Sequence, residues 1–243
     1  MELTVEEDYE SMSQTAAEYI ICFVKGSQHF VNVCLPTGRT PVRMYEILSE
    51  YSRKHPSTFQ NVNWFTLDEY ADDTPKSKAY CYQTLHKQFY RPADIRPDRI
   101  YTFQTERGRY DEEAERYEDL IERLGGIDLA VLGIGRNGHV GFNEPGSNAD
   151  SGTRVVNLHD KTVKQSKRYL ESLDNKENIP TQGVTLGIKT LLKSRNVLLI
   201  ANGREKREIV EKTYKGRIGP DIPASYFQNH TQARLVIDQA CFK

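Results

Sequence analysis

The chain has 243 residues, a formal net charge of −1, and hydrophobic and charged contents of 37 % and 28 %, values typical of one globular α/β domain. This charge argues against the clustered basic surface of a nucleic-acid-binding protein, and no apolar run approaches the roughly 20 residues that span a membrane. The four cysteines form no CxxC pair and have no histidine at ligand spacing, which argues against a zinc site or a disulfide framework.

The amino-terminal part of the chain predicts a location, a strand and two helices. The acidic start, Met1–Asp8, lacks the basic beginning and apolar centre of a signal peptide, so we expect a cytoplasmic protein. Apolar residues at helical spacing predict an amphipathic helix over Asp8–Lys25, and Phe30–Leu35 is typical of a buried strand. A second helix should begin near Pro41, because proline is favoured in a first turn and Thr40 can cap it.

Strands and helices alternate along the rest of the chain. Strands are predicted at Val62–Leu67, Arg99–Phe103, Ile127–Leu132, Val197–Ala201 and Ala233–Asp238. Helices are predicted at Tyr80–Phe89, Tyr110–Leu124, Lys161–Leu170 and Arg204–Tyr214, and Asp72–Lys78 is a polar loop. This alternation predicts a single domain over residues 1–243 with a modified Rossmann-like α/β fold. We expect one doubly wound, mainly parallel sheet with helices on both faces.

Three polar turns follow strands, where open parallel sheets bind ligands beyond the carboxyl ends of the strands. The first consists of Thr37, Gly38, Arg39 and Thr40. Its backbone N–H groups and hydroxyls suit a phosphate, although it lacks the Walker ending and also suits an ordinary capped turn. In the second, Asp68 follows a strand and could serve as a general base once its pKa is tuned; a helix cap or solvated turn is the alternative.

The third turn, Gly133–Glu144, is the most unusual stretch of the chain. It contains four glycines around Asn137, His139 and Glu144. His139 can exchange protons near neutral pH, and a carboxylate such as Glu144 could orient its ring. A glycine-rich loop with a buried structural histidine is the alternative. Rossmann glycine spacing is absent, so we expect no NAD.

The chain resembles the glucosamine-6-phosphate deaminase (isomerase) family, within the superfamily that includes 6-phosphogluconolactonases. The resemblance extends over most of the chain and is most specific at Leu35–Pro41, Leu67–Tyr70 and Leu132–Gly146. The ending Phe142–Pro145 is of the deaminase type, whereas lactonases continue differently after the shared GxxGH core. The resemblance implies isomerisation and deamination of an amino-sugar 6-phosphate, most simply glucosamine 6-phosphate, with no metal or organic cofactor.

The resemblance also implies roles for individual residues. Asp68 would be the base that moves a proton between C2 and C1, and His139 would assist opening of the sugar ring. Asn137 and Glu144 would orient that histidine. The implied phosphate cradle consists of Thr37, Gly38, Arg39, Thr40, Arg168 and Lys206, although Arg168 and Lys206 taken alone are ordinary surface cations.

Departures from the family pattern keep alternatives open. Residues 77–81 differ from the usual His-Pro-x-Ser-Tyr pattern, so galactosamine 6-phosphate stays a candidate substrate. Arg39 replaces the small residue that the family usually has in the turn Thr37–Thr40, which is called the phosphate turn below. A 6-phosphogluconolactonase and a non-catalytic sugar-phosphate sensor are the other hypotheses. The expected partner is a small sugar phosphate, without nucleic acid or membrane, and a homo-oligomer is left open.

Overall fold

The computed structural model describes residues 1–71, 80–105, 109–159, 162–164 and 180–242. The described strands are β1 Glu2–Glu6, β2 Val31–Leu35, β3 Val62–Thr66, β4 Asp68–Ala71, β5 Ile100–Tyr101, β6 Leu129–Gly133, β7 Arg154–Asn157, β8 Gln182–Thr185, β9 Asn196–Ala201 and β10 Ala233–Asp238. The described helices are α1 Tyr9–Lys25, α2 Val42–Lys54, α3 Tyr80–Leu85, α4 Tyr110–Arg123, α5 Ile188–Leu192 and α6 Arg207–Lys215, with α3 continuing into a π turn at His86–Tyr90.

Seven strands form the main sheet in the order β1-β10-β9-β6-β2-β3-β5, and every neighbouring pair is parallel. The central strands β2, β6 and β9 are largely apolar because both of their faces are covered. Successive residues of β6 illustrate this, since Leu129 and Val131 pack in one core and Ala130 and Leu132 in the other. The predicted α/β fold, with a mainly parallel and doubly wound sheet, is confirmed.

Helices cover the two faces of this sheet separately. The core that contains Met12 of α1 and Tyr45 of α2 lies on one face. The core that contains Tyr117 of α4, Leu191 of α5 and Val210 of α6 lies on the other. Among the residues described, no helix combines the length and apolarity that crossing a bilayer requires.

A second, three-stranded antiparallel sheet was not predicted. Its order is β4-β8-β7, and it begins at Asp68, which only Leu67 separates from the end of β3. Each strand has only four residues, and β4 is buried throughout, so no alternation of apolar and polar residues signals it. The prediction of a single sheet was therefore incomplete. The predicted loop Asp72–Lys78 and most of the helix Lys161–Leu170 lie outside the described residues.

The structure differs from the sequence-based expectations at two further places. The strand β1 lies in the acidic amino-terminal segment, where no strand was predicted, and pairs in parallel with β10. The second helix begins at Val42, beside Pro41 as expected, but no side-chain hydrogen bond caps it. The Thr40 hydroxyl instead donates to Asn202 Oδ1 at 2.7 Å. The hydroxyl therefore binds a residue at the carboxyl end of β9 and does not cap α2.

The four adjacent strands β9, β6, β2 and β3 at the centre of the main sheet position the site. The phosphate turn follows β2, Asp68 follows β3 and the glycine-rich loop follows β6. Asn202 follows β9. Because parallel strands end at the same edge, all of these segments meet there.

Candidate active site

A cavity of about 360 Å³ opens at this edge of the sheet, a size typical of small-molecule sites. Its lining includes the turn Thr37–Thr40, Asp68, His139 and Lys206. The three turns predicted from the sequence therefore converge on one cavity. Arg168 lies outside the described residues, so its predicted place in the phosphate cradle stays a prediction.

Two glycines allow the glycine-rich loop to fold tightly beneath His139. A Cβ at Gly135 would lie 2.3 Å from ring atoms of His139, so the imidazole rests directly against the backbone there. Gly138 has a φ of +86°, a conformation that L side chains rarely adopt. Its N–H donates to Gly135 O at 3.0 Å, and Gly135 N–H donates to His139 O at 2.9 Å. A larger side chain at Gly135 would displace the imidazole, whereas one at Gly138 would be strained and would collide with Ile222.

Hydrogen bonds fix the orientation of the imidazole. His139 Nδ1 lies 2.7 Å from Asn137 Oδ1, and Asn137 Nδ2 donates to Glu144 Oε2 at 2.7 Å. Because the amide nitrogen must face the carboxylate, its oxygen faces the ring, so Nδ1 carries a proton and donates it. In the neutral ring, Nε2 is then the nitrogen that can accept a proton. Asn137 and Glu144 thus lie on the Nδ1 side of His139, while the roles predicted for them stay proposals.

Glu144 supplies a fixed negative charge beside this histidine. Burial acts to raise the pKa of its carboxyl, but a hydrogen bond and the positive charge of a protonated His139, together with hydrogen bonds from Thr162 and Asn137, outweigh burial and lower the pKa to about 2. Glu144 Oε2 lies 3.5 Å from His139 Nδ1. An ionised carboxylate at this distance favours the imidazolium that would form when the ring accepts a proton.

Asp68 is the first residue of β4 and is only 5 % exposed. Burial raises the pKa of its carboxyl from 3.8 to about 6, against opposing effects of Cys81 and His139. A carboxylate whose pKa lies near neutral pH is a stronger base than an exposed aspartate and is still ionised at pH 7. The geometry therefore combines a candidate base and a candidate proton shuttle in one cavity.

Glu69 has a different role from its neighbour. Its carboxylate is fully buried and accepts the backbone N–H groups of Tyr70, Cys81 and Tyr82 at 2.9, 2.9 and 3.0 Å. Burial raises the pKa of this carboxyl to about 7 despite those donors. A helix cap was the alternative role considered for the acidic turn that begins at Asp68. Glu69, and not Asp68, has that role, and it fixes the start of α3 beside β4.

The phosphate turn is tied to β9 and to α3. Lys206 Nζ donates to Thr40 Oγ1 at 3.0 Å, and burial lowers the pKa of the ammonium group. Thr37 Oγ1 donates to Cys81 Sγ at 3.8 Å. Arg39 is exposed at the edge of the cavity. The predicted cradle residues that the structure describes all line this cavity.

Several lining residues were missed from the sequence. Asn202 accepts the hydrogen bond from Thr40, and Cys81 accepts the one from Thr37. Asn202 directly follows β9, and this position after a strand is a signal that could have identified it. Tyr70 packs against Phe142 and Tyr80, with ring centroids 5.0 and 5.9 Å apart, and these rings form an aromatic wall of the cavity. No sequence motif indicates that wall, because its rings come from three separate segments.

The burial of Asp68 predicts a measurable cost in stability. With a pKa of 3.8 in the unfolded chain and about 6 in the folded one, stability falls as pH rises through that interval and stays lower above it. Asp68→Asn should therefore raise the free energy of unfolding at pH 8 by on the order of 2–3 kcal/mol. Denaturant titrations at pH 8 and pH 4 test this, and a gain of equal size at both values would contradict the assignment.

A family model and individual relatives indicate the same family for this chain. Residues 7–237 match the family described as "Glucosamine-6-phosphate isomerases/6-phosphogluconolactonase". A glucosamine-6-phosphate deaminase of Clostridium acetobutylicum is 36 % identical over 100 % of this chain and 99 % of its own length. A glucosamine-6-phosphate deaminase of Geobacillus sp. (strain WCH70) is 39 % identical over 98 % and 94 %.

Solved structures give the same fold. A monomeric glucosamine-6-phosphate deaminase matches with a TM-score of 0.90 at 34 % identity, covering 99 % of this chain and 98 % of its own. The 6-phosphogluconolactonase of Trypanosoma cruzi matches with a TM-score of 0.79 at 19 % identity, covering 99 % and 95 %. The second likeness concerns the fold alone.

Proposed function

The chain belongs to the family of glucosamine-6-phosphate isomerases and 6-phosphogluconolactonases, and we propose that it converts glucosamine 6-phosphate and water to fructose 6-phosphate and ammonia. The observation that carries the proposal is that Asp68 and His139 line the same cavity as the phosphate turn. Relatives of 34–39 % identity over nearly the full chain are named as glucosamine-6-phosphate deaminases, which supports this substrate.

Binding begins at the phosphate end of the cavity. The backbone N–H groups of the turn Thr37–Thr40 would bind the phosphate oxygens, and the hydroxyls of Thr37 and Thr40 and the ammonium group of Lys206 would add donors. Fixing the phosphate leaves the C1–C2 end of the sugar at the Asp68 side of the cavity. This positioning lowers the entropic part of the barrier.

Ring opening requires a proton to leave O1 and a proton to reach O5. A neutral His139 with a proton on Nδ1 can accept the O1 proton at Nε2 and then return it to O5. The imidazolium formed in between is stabilised by the ionised Glu144. Asn137 keeps the ring in this tautomer.

Isomerisation follows on the open chain. Asp68 would remove the C2 proton, giving an enolamine, and return a proton to C1, which gives an imine at C2. Water adds to that imine and ammonia leaves, so the reaction ends in a ketose 6-phosphate. The addition of water is the hydrolytic part of the proposal.

Lys206 provides the test of the phosphate end. Lys206→Met removes one charge-assisted hydrogen bond, so KM for the sugar phosphate should rise about 10- to 100-fold while kcat changes little. Steady-state kinetics measure this. Lys215→Met, an exposed lysine at the end of α6, is the control and should keep the original KM. An unchanged KM in Lys206→Met would contradict the proposed cradle.

The site fits the two alternative substrates unequally. A galactosamine 6-phosphate substrate differs only at the C4 hydroxyl, and the departure at residues 77–81 leaves that preference open. A lactonase would need no base at C2, whereas Asp68 is a buried carboxylate with its pKa raised to about 6, which suits a general base. The likeness to solved lactonases below 25 % identity supports their fold alone.

A substrate panel tests the proposed function directly. Purified protein is assayed with the 6-phosphates of glucosamine, galactosamine and mannosamine and with 6-phosphogluconolactone, by ammonia, ketose and acid formation. Stoichiometric ammonia and ketose from glucosamine 6-phosphate are expected. Lactone hydrolysis without ammonia release would overturn the proposal, and binding without turnover would indicate a sensor.

We also propose a cytoplasmic location, because a sugar phosphate is charged and does not cross a membrane unaided. The solved relative of 34 % identity is described as monomeric, so a homo-oligomer is not part of the proposal. The site needs no organic cofactor for the steps derived above. Within the described ranges, no three His, Cys, Asp or Glu side chains gather as metal ligands would.

A further inference from the structure

Two tyrosine hydroxyls bind the carbonyl groups of the phosphate turn from outside the cavity. Tyr45 Oη donates to Pro36 O, the carbonyl that directly precedes the turn, at 2.6 Å. Tyr9 Oη lies 3.2 Å from Arg39 O and 3.1 Å from Thr40 O, and shares its one proton between them. Neither tyrosine lines the cavity. The carbonyls at both ends of the turn therefore face α1 and α2, the helices that carry the two tyrosines.

Peptide geometry then decides where the N–H groups of the turn point. In a planar trans peptide, the C=O and the N–H of one unit point in opposite directions. The Pro36 carbonyl shares its peptide with the Thr37 N–H, and the Arg39 carbonyl with the Thr40 N–H; both peptides are trans. Because the carbonyls point to the tyrosine hydroxyls, these N–H groups point away from them. Thr37 and Thr40 line the cavity, so their N–H groups are available to an anion bound there.

The turn keeps its N–H groups free of protein acceptors. Across the part of the chain that the structure describes, no group accepts a hydrogen bond from the N–H of Thr37, Gly38, Arg39 or Thr40. Gly38 has a φ of +115°, and a left-handed residue within a turn lets successive N–H groups converge on one anion. The turn thus has bound carbonyls and free donors, the arrangement that an anion requires.

We propose that Tyr45 and Tyr9 are positioning residues that hold the carbonyls of the phosphate turn away from the cavity, so that its N–H groups face the phosphate of the substrate. A carbonyl oxygen turned into the cavity would direct a partial negative charge at the phosphate and weaken its binding. The inference rests on the proposed function for the identity of the sugar alone. Inorganic phosphate therefore tests it without any turnover.

The two tyrosines should contribute unequally. Tyr45 is fully buried, and its hydroxyl is the one donor that the described residues offer to Pro36 O. Tyr9 is partly exposed. Arg39 O, one of its two acceptors, also accepts the Val42 N–H at 3.4 Å. The Arg39 carbonyl thus keeps a donor when the Tyr9 hydroxyl is lost, so we expect Tyr45 to have the larger effect.

The test removes each hydroxyl and keeps the ring. In Tyr45→Phe, the Kd for inorganic phosphate by calorimetry and the KM for glucosamine 6-phosphate should both rise about 5- to 15-fold, while kcat stays within about twofold. Tyr9→Phe should raise both constants about two- to fivefold. Tyr117→Phe is the matched control, because this buried hydroxyl also donates to backbone carbonyls, Thr66 O at 3.1 Å and Tyr101 O at 2.9 Å, but lies outside the cavity lining. It should leave the Kd for phosphate and the KM unchanged.

The split between binding and turnover separates positioning from a general disturbance of the fold. An unchanged Kd for phosphate in folded Tyr45→Phe and Tyr9→Phe would overturn the inference. A loss of kcat with an unchanged KM would also overturn it, because damage to the fold would give that result. If both variants bind phosphate more weakly as expected but the unaltered protein releases no ammonia, the proposed function fails while the positioning role stands.

Discussion

Asp68→Asn should lower kcat for ammonia release from glucosamine 6-phosphate by about a thousandfold or more and leave KM within about threefold. The amide keeps the size of the side chain but cannot take a proton from C2. Substrate contacts at the phosphate end are untouched, so binding should persist. Coupled ammonia assays together with calorimetric binding measure the two effects separately.

Asp128, which directly precedes β6 and so lies at the amino-terminal ends of the strands, provides a matched control for this variant. Asp128 is also buried, accepts the N–H of Asn32 and pairs with Arg195 at 2.7 Å. Asp128→Asn should cost stability but keep kcat within about twofold, since the residue lies outside the cavity lining. A folded Asp68→Asn protein with kcat within tenfold of the original would contradict the role of Asp68 as the base.

His139→Gln should lower kcat/KM for the cyclic sugar about 10²- to 10³-fold. Glutamine can keep a hydrogen bond to Asn137 but cannot exchange a proton between O1 and O5. The loss should shrink to within about tenfold on the 4,5-dideoxy analogue of glucosamine 6-phosphate, which lacks the C4 and C5 hydroxyls and can close neither a furanose nor a pyranose ring. Parallel kinetics on both compounds separate ring opening from isomerisation.

His230→Gln is the control for a general effect of losing a histidine. His230 Nε2 lies 2.8 Å from Ser194 O, and the residue is absent from the cavity lining. Its kinetics should stay close to those of the unaltered protein on both compounds. An equal loss for His139→Gln on both compounds would show that this residue does not act in ring opening.

The raised pKa of Asp68 links these effects to stability. The same burial that makes the carboxylate a stronger base also makes its ionisation unfavourable for folding. Asp68→Asn should therefore be more stable at pH 8 and nearly inactive. A site residue whose removal stabilises the fold is characteristic of a position held for chemistry rather than for packing.

The sequence predicts the edge of the sheet where the site lies, because strand patterns and the polar turns after them are local signals. The turn Thr37–Thr40, Asp68 and His139 each follow an apolar strand, and parallel strands bring such turns together. The orientation of His139 depends on Asn137 and Glu144, two residues before it and five residues after it. That geometry rests on loop backbone conformation, which spacing alone does not fix.

The small antiparallel sheet and the contacts of Cys81 could not be predicted. The strand β4 is paired with β8 more than a hundred residues later, and its four residues are all buried. Glu69 meets the N–H of Cys81 twelve residues along the chain, a contact produced by tertiary packing. Short strands and single side chains that bridge distant segments leave no periodic pattern in a sequence.

A crystal structure with 2-amino-2-deoxyglucitol 6-phosphate, the reduced open-chain form of the substrate, tests the account most directly. The phosphate should bind the turn Thr37–Thr40 and Lys206, the Asp68 carboxylate should lie within about 3.5 Å of C1 and C2, and His139 Nε2 should reach the C5 hydroxyl. A ligand bound in the cavity with C1 and C2 directed away from Asp68, or with its phosphate elsewhere, would contradict the account.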